Sequence, residues 1–175
     1  MEYIIRTAEL RDYDEIYELI KTAFFTAYLS DGTEQDFAVA LRNSKNYIKE
    51  LELVMEVDSK IVGHVMMTEL GTNGKDLVSI LLLAPICIAE EYRNNGLGEQ
   101  LIDEGLKRAT ELDYNGVFLL GDPKFYNRVG FIRASELKVY DKVNKLPDEY
   151  FLGIELKPNS FEDTEFLIDV MESTK

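Results

Sequence analysis

Hydrophobic residues recur with helical spacing in three stretches of the chain. In the first stretch they come at i, i+3, i+4, i+7, i+8 and i+11, which is one face of a helix; they are Ile16, Leu19, Ile20, Ala23, Phe24 and Ala27. Asp12 stands at the expected N-cap of this helix, and Glu15 completes a capping-box pattern. Similar patterns predict a second, weaker helix over 34–43 and a third helix over 96–112.

Strand patterns fill most of the rest of the chain. A short strand is predicted over 3–7, and two longer strands over 51–57 and 61–69 flank a turn. Residues 76–88 are apolar at almost every position, which indicates a strand that is buried on both faces. Pro85 lies inside that strand and cannot donate a backbone hydrogen bond, so we expect the sheet to bulge or splay there.

The order of the later elements predicts a parallel pair of strands. The strand 76–88, the helix 96–112 and a short strand over 117–120 form a βαβ unit. Asp122-Pro123 is typical of the start of a short helix. Further strands near 131–140 and 150–157 complete a mixed sheet, and we expect the tail 158–175 to form one short helix. These elements predict one domain over 1–175, with an α/β (α+β) core at 3–157.

Composition narrows the functional classes. Nineteen basic and 33 acidic residues give a net charge of −14, which repels nucleic acid and anionic membranes and favours cationic partners such as amines. Alternatively, the charge serves only solubility. A single cysteine forms no intrachain disulfide, and the first residues lack the apolar run of a signal peptide, so we expect a cytoplasmic protein. One histidine and one cysteine give no support for a metal site.

The segment 86–98 carries the most specific chemistry. A buried strand ends, a polar turn with Gly96 and Gly98 follows, and a helix begins. The free N–H groups and the dipole of a helix start can bind a phosphate. On spacing alone, the glycines could equally serve only to make a tight turn. A dinucleotide-binding G-x-G-x-x-G pattern is not complete, because Leu101 occupies the third glycine position.

Three ordered motifs resemble the GNAT superfamily of acetyltransferases. Its R/Q-x-x-G-x-G/A signature is matched by Arg93-Asn94-Asn95-Gly96-Leu97-Gly98. Its Y-x-x-x-G-F element is similar to Tyr126-Asn127-Arg128-Val129-Gly130-Phe131, and its strand before the splay is similar to Lys60-Ile61-Val62-Gly63-His64. The resemblance covers about 3–156. Gly-Asp-Pro at 121–123 is similar to a branch of small bacterial members whose acceptors are mostly unassigned.

The resemblance implies the GNAT fold, a central mixed β-sheet that is splayed at its fourth strand and flanked by helices. Acetyl-CoA would be the cosubstrate and would lie in the splay. Strand backbone would hold the pantetheine arm and turn amides the pyrophosphate; the residues are Ile86, Cys87, Ile88, Arg93, Asn94, Asn95, Gly96, Leu97, Gly98 and Glu99. Many members carry an Asn after the fifth strand that bonds the pantetheine, and 119–123 of this chain contain none.

The implied reaction is transfer of an acetyl group to a primary amine by direct attack in a ternary complex. Tyr126 matches the general acid of the family, and Glu69 is the candidate base, with Glu52 and Glu56 as alternatives. His64, the only histidine, either faces the cleft or is a sheet residue. A catalytically silent acyl-CoA-binding or regulatory domain of the same fold is the alternative function.

The acceptor is not fixed by the sequence. It is either a small-molecule amine or the N-terminal amine of a peptide or protein, and we expect Phe24, Phe25 and Tyr28 to line its pocket. Neither nucleic acid nor a membrane is an expected partner, and exposed strand edges are compatible with a homodimer.

Overall fold

The computed structural model describes residues 1–27, 30–72, 78–143, 145–163 and 165–170. Its strands are β1 (Ile4–Thr7), β2 (Tyr47–Val57), β3 (Lys60–Leu70), β4 (Ile80–Ile88), β5 (Gly116–Leu120), β6 (Ile132–Arg133), β7 (Val139–Asp141), β8 (Phe151–Glu155) and β9 (Phe166–Ile168). Its α-helices are α1 (Tyr13–Phe24), α2 (Glu34–Arg42), α3 (Leu97–Glu111) and α4 (Pro123–Tyr126).

Most of the strands form one mixed sheet. Within the described ranges its order is β1-β2-β3-β4-β5-β8-β6, and β7 and β9 form a separate parallel pair. Neighbouring strands of the large sheet are antiparallel except β4 and β5, which are parallel and are connected through α3. The predicted mixed sheet and βαβ unit are therefore confirmed.

The sheet opens between β4 and β5. Their ladder covers only the first three residues of β4, although that strand continues to Ile88. On the other side of β4, Ala84 and Pro85 form a bulge opposite Met66 of β3. Because a proline has no N–H to give to a ladder, it is tolerated at such a bulge. The bulge and the splay expected at Pro85 are both confirmed.

Helices cover both faces of the sheet. Leu101 and Ile102 of α3 pack against Val65 and Met67 of β3 on one face. On the other face, α1 and α2 pack against the alternate residues of β2 and β3; this cluster includes Ile16, Ile20, Leu41, Val54, Met66 and Cys87. Such alternation is what a strand buried on both faces requires.

The start of α1 differs from the prediction. A 3-10 turn at Leu10–Asp12 precedes the helix, and Asp12 makes no capping bond to α1. Its carboxylate is buried and instead accepts hydrogen bonds from Arg6 and from the backbone N–H of Glu9. Glu15 accepts from the backbone N–H of Ile61 at 2.9 Å and so ties α1 to β3. Both acidic residues therefore join α1 to its surroundings rather than cap it.

The later elements also differ in part. The predicted strand over 131–140 is divided by a 3-10 turn into β6, which joins the large sheet, and β7, which does not. In the described part of the tail, Phe166–Ile168 form β9, where buried Phe166 and Ile168 flank exposed Leu167 in a strand pattern. Positions 164 and 171–175 of the predicted tail helix lie outside the described residues. The predicted strand over 76–88 begins at Ile80 in the structure, and its positions 76 and 77 lie outside the described residues.

The helices are too short or too polar to cross a lipid bilayer throughout the described part of the chain.

Candidate functional site

A cleft of about 320 Å³ lies where β4 and β5 separate. It is formed by the end of β4, the turn that follows, the first turn of α3, and α4; its lining is Ile86, Cys87, Ile88, Tyr92, Arg93, Asn94, Gly96, Leu97, Gly98, Glu99, Phe125, Tyr126 and Arg128. The structure thus brings Tyr126 together with all the predicted cofactor residues except Asn95. The Asn95 side chain instead donates to the backbone oxygens of Tyr92 and Arg93 and shapes the turn.

The turn between β4 and α3 has the backbone features of an anion-binding turn. Asn94 and Gly96 both have a left-handed backbone, with φ of 61° and 73°. The first N–H groups of α3, which begins at Leu97, have no acceptor within the helix, and the helix dipole adds partial positive charge. A Cβ atom on Gly96 would meet nothing within 4 Å. The position therefore faces open space from which a phosphate could approach the backbone.

The cleft-facing edge of β4 is the second binding feature. Beyond the third residue of the strand, no described strand pairs with it on the β5 side. A narrow, extended molecule with amide groups can hydrogen-bond to such an edge as an added strand does. Ile86 and Ile88 beside this edge are half-buried and give it apolar walls.

Arg93 braces the end of β4 against α1. Its Nε donates to the backbone oxygen of Ile88 at 3.1 Å, and its Nη2 donates to that of Ala23 at 2.7 Å. Because both bonds go to protein carbonyls, the side chain positions the turn.

Tyr126 lies on the α4 wall of the cleft. Its ring packs over Gly121, where an added Cβ would come within 2.2 Å of the ring, and it makes edge contacts with Phe125 and Phe131. The hydroxyl makes no hydrogen bond within the described part of the chain. Burial raises the pKa of Tyr126 to about 12. The phenol is therefore protonated at neutral pH and has its O–H available to a ligand.

The structure does not bring Glu69 to the cleft. Glu69 pairs with Leu81, where β4 is still joined to β5, and its carboxylate accepts a hydrogen bond from the Tyr114 hydroxyl at 2.8 Å. The alternative base Glu56 accepts from Nε of Arg6 at 2.7 Å.

Glu52 and His64 form a buried network on the α2 side of the sheet. Both side chains are fully buried. Glu52 accepts hydrogen bonds from Nε2 of His64 at 3.0 Å, from the Tyr47 hydroxyl at 2.7 Å, and from two nitrogens of Arg42. Burial alone would raise the pKa of Glu52, but the hydrogen bonds from His64 and Arg42 lower it to about 2. His64 is thus a sheet residue, and its Nδ1 is buried without a partner in the described chain.

A second cavity of about 230 Å³ lies on the α1 side of the same strand end. Its lining is Ala23, Phe24, Ala27, Ile86, Cys87, Ile88 and Arg93, so it shares the end of β4 with the cleft. Of the predicted acceptor residues, Phe24 lines this cavity, Phe25 is 87% exposed, and Tyr28 lies outside the described residues. Burial raises the pKa of the Cys87 thiol to about 12, so it is not a thiolate nucleophile.

Sequence reasoning missed Arg128 and the partners of Glu52. Arg128 occupies a variable position of the Y-x-x-x-G-F element, whose pattern therefore gives it no role. Arg42 and Tyr47 lie on elements whose periodicity predicts only helix or strand. An arginine beside a glycine-rich anion turn is the signal that could have identified Arg128.

Comparison with known proteins identifies the family. The family described as "Acetyltransferase (GNAT) domain" matches residues 49–133. A relative from Sulfurisphaera tokodaii, named N-alpha-acetyltransferase, is 30% identical over 155 residues, which cover 79% of this chain and 86% of that protein. The chain belongs to the GNAT superfamily. A further GNAT relative, the N-acetyltransferase YhbS of Escherichia coli K12, is 38% identical over 78 residues. That match covers 45% of this chain and about half, 46%, of YhbS.

Solved GNAT structures share the fold over almost the whole chain. Escherichia coli YhbS, crystallised in complex with CoA, has a TM-score of 0.87 at 26% identity, and the match covers 99% of this chain and 92% of that one. A GNAT acetyltransferase from Brucella melitensis, solved with acetyl-CoA, gives 0.80 at 24% identity over 99% of both chains, which shows the fold. The predicted GNAT fold is confirmed.

Proposed function

We propose that the chain is an acetyl-CoA-dependent N-acetyltransferase that acts on a primary amine. The observation that carries the proposal is the cleft at the sheet opening, where a glycine turn, a free strand edge and the Tyr126 hydroxyl converge. The GNAT relatives crystallised with CoA or acetyl-CoA support it. The cleft is formed within one chain, so the proposal requires no homodimer.

The residues of the cleft fit acetyl-CoA. The amides of 94–99 suit its pyrophosphate, the edge of β4 at 86–88 suits its pantetheine amides, and the half-buried Ile86, Ile88 and Phe125 suit its apolar portions. Many family members carry an Asn after the fifth strand, but 119–123 of this chain contain no Asn, so we assign the pantetheine amides to the strand edge. When bound, acetyl-CoA supplies an activated acetyl thioester.

Tyr126 is assigned to the sulfur of that thioester. Burial holds the pKa of the phenol near 12, whereas an ordinary thiol has a pKa of ~8.5. Complete proton transfer from the phenol to a thiolate is therefore uphill by ~3.5 units, or ~5 kcal/mol. Tyr126 consequently serves best by donating a hydrogen bond as negative charge develops on sulfur.

The acceptor amine enters from the α1 side. The second cavity and the cleft share the backbone of 86–88, so an amine in the cavity bordered by Phe24 lies next to a group held in the cleft. The described lining of both cavities contains one carboxylate, Glu99, which is paired with Arg128. Glu69 lines neither cavity and contacts Tyr114, so the amine loses its proton to water.

A nearby base is least needed by an amine of low pKa. At pH 7 deprotonation costs ~1.4 kcal/mol for an α-amino group of pKa ~8, and ~4.6 kcal/mol for a lysine-like amine of pKa ~10.4. The name of the Sulfurisphaera tokodaii relative, N-alpha-acetyltransferase, agrees with an α-amino acceptor. We therefore place N-terminal α-amines ahead of lysine-like amines as acceptors.

Replacement of Tyr126 by Phe tests the proposal. We expect the Tyr126→Phe variant to lose ~100-fold in kcat because the hydrogen bond at sulfur is gone, while acetyl-CoA still binds normally. The measurement is release of free CoA thiol with a panel of peptides and small amines, together with calorimetric binding. Because the pKa of Tyr126 lies near 12, the phenol stays protonated up to pH ~10. The wild-type rate should therefore rise with pH and show no decrease until the pH exceeds ~10.

Tyr114→Phe is the matched control, since this tyrosine contacts Glu69 away from the cleft. Its turnover should equal that of the wild type. Tight binding of acetyl-CoA with no turnover on any amine would support the silent acyl-CoA-binding domain instead.

A further inference from the structure

We propose that Arg128 binds the phosphate groups of the ligand at the mouth of the cleft, and that Glu99 holds Arg128 in place until the ligand arrives. Nη2 of Arg128 lies 3.0 Å from Oε1 of Glu99, and both residues line the cleft. This inference rests on the proposed function. It adds that Arg128 changes its partner on ligand binding, from the Glu99 carboxylate to a phosphate.

Arg128 is held over the first turn of α3 by more than one contact. Its guanidinium lies 5.3 Å from the centre of the Phe125 ring. Phe125 in turn packs against Gly98, where an added Cβ would lie 3.3 Å from the ring. The arginine therefore lies beside the N–H groups that are suited to a phosphate, and its side chain is 61% exposed, so that a ligand at the mouth of the cleft can reach it.

A phosphate in the cleft needs a cation that is not already used by the protein backbone. The described lining includes two arginines, and Arg93 already gives its bonds to the carbonyls of Ile88 and Ala23. Glu99, in the first turn of α3, places a carboxylate next to an anion site. The net charge of −14 adds repulsion at long range. Of the two arginines in the described lining, Arg128 is the one that is paired with a side chain, Glu99, which a phosphate can displace.

A phosphate is the better partner for this guanidinium. Its planar fork of N–H groups can donate to two phosphate oxygens at once, whereas its pair with Glu99, 3.0 Å between Nη2 and Oε1, is partly exposed and weakened by solvent. When a phosphate lies on the α3 N–H groups, the guanidinium turns from Glu99 to it. Glu99 then competes with the ligand for the Arg128 guanidinium, so removal of its carboxylate should strengthen ligand binding. Damage to the fold would weaken binding instead.

A double-mutant cycle measured by calorimetry with CoA tests the inference. We expect Arg128→Gln to weaken CoA binding ~10-fold and Glu99→Gln to strengthen it ~3-fold. In the Glu99→Gln background, Arg128→Gln should still weaken binding at least ~10-fold, because the arginine contacts the phosphate directly. If it costs nothing in that background, Arg128 only neutralises Glu99 and the inference is wrong.

Two probes and one control variant complete the experiment. Pantetheine, which has no phosphate, should bind every variant equally, whereas equal losses for pantetheine and CoA would overturn the inference. Dephospho-CoA, which lacks the 3′-phosphate, shows which phosphate Arg128 contacts. If Arg128→Gln still weakens the binding of dephospho-CoA, the contact is with the pyrophosphate; if it no longer does, the contact is with the 3′-phosphate. Either result supports a phosphate contact. Arg133→Gln removes the same charge from an exposed pair with Asp148 outside the cleft and should leave CoA affinity unchanged.

The outcomes separate this inference from the proposed function. If the folded wild type does not bind CoA, both are overturned. If the wild type binds CoA and Arg128→Gln binds it equally well, the inference alone is overturned.

Discussion

Glu52 keeps its negative charge in a fully buried position because three side chains donate hydrogen bonds to it. They come from different elements, since Arg42 is on α2, Tyr47 on β2 and His64 on β3. The Arg42 guanidinium also lies 3.9 Å from the centre of the Tyr13 ring. A buried ion pair adds little over an apolar pair, but removal of one partner leaves a charge without compensation. The network therefore fixes α1 and α2 on the sheet.

Glu52→Gln should lower the free energy of unfolding at pH 7 by ~3–5 kcal/mol, because Arg42 stays buried without its counterion. Glu56→Gln, in a more exposed pair with Arg6, should cost ~1 kcal/mol or less. The pKa of Glu52 is about 2 in the folded protein against 4.5 for an ordinary glutamate. Its contribution is therefore fully present above pH ~4.5 and is lost as the pH falls towards 2.

Urea denaturation at pH 7 and pH 3 measures both effects. The stability difference between wild type and Glu52→Gln should be smaller at pH 3. An equal difference at the two pH values would show that the carboxylate charge is not what stabilises the fold.

Single residues were predictable where a motif fixes their place. The motifs singled out Tyr126 and the turn at 93–98 as candidates because they prescribe both spacing and residue type, and the structure places these residues, except Asn95, around one cleft. The base was not predictable in this way, because a glutamate on a strand reveals neither its partner nor its distance from the cleft. Glu69 contacts Tyr114, which is 45 residues away in the sequence, so the sequence alone does not indicate this contact.

At the level of elements, strong patterns predicted structure well and short ones did not. The apolar strand with Pro85 predicted the bulge and the splay, and the order strand, helix, strand predicted the parallel pair. β9 has only three residues, so the spacing of its apolar residues does not distinguish a strand from a helix. Its burial depends on an aromatic cluster assembled from distant parts of the chain; the members are Phe118, Phe151, Phe161 and Phe166.

Phe161 should be essential for the attachment of this C-terminal segment. It packs edge to face on Phe118 of β5 at 5.6 Å and on Phe166 of β9 at 5.7 Å between ring centres, and it is 2% exposed. Phe161→Ala should lower the free energy of unfolding by ~3–5 kcal/mol because it leaves a cavity beside β5.

Phe25→Ala removes the same side chain from a position that is 87% exposed, and it should change stability by less than ~0.5 kcal/mol. Denaturant melts of the two variants measure the contrast. Similar small losses for both would contradict the packing of the C-terminal segment on β5.

On the scale of the whole molecule, the proposed phosphate site lies at the sheet opening of a strongly acidic protein. The net charge of −14 disfavours an approaching phosphate, whereas the left-handed turn at Gly96, the start of α3 and Arg128 favour one locally. The same charge favours a cationic amine. Fold and cofactor class were predictable because backbone patterns encode them. The acceptor was not, because the second cavity is lined by side chains from α1, β4 and the turn after β4 that no motif prescribes together.

If the β4–α3 turn binds the pyrophosphate of acetyl-CoA, a negative charge at position 96 should weaken binding, and calorimetry on Gly96→Asp and Gly96→Asn measures that effect. Asp and Asn both tolerate a left-handed backbone and are similar in size, so the pair differs mainly in charge. We predict that wild type binds with a Kd of ~10 μM, or about −7 kcal/mol. Gly96→Asn should bind within ~10-fold of that value, and Gly96→Asp at least ~100-fold more weakly. Equal affinities of the folded Asp and Asn variants would show that the turn does not bind the phosphates of acetyl-CoA.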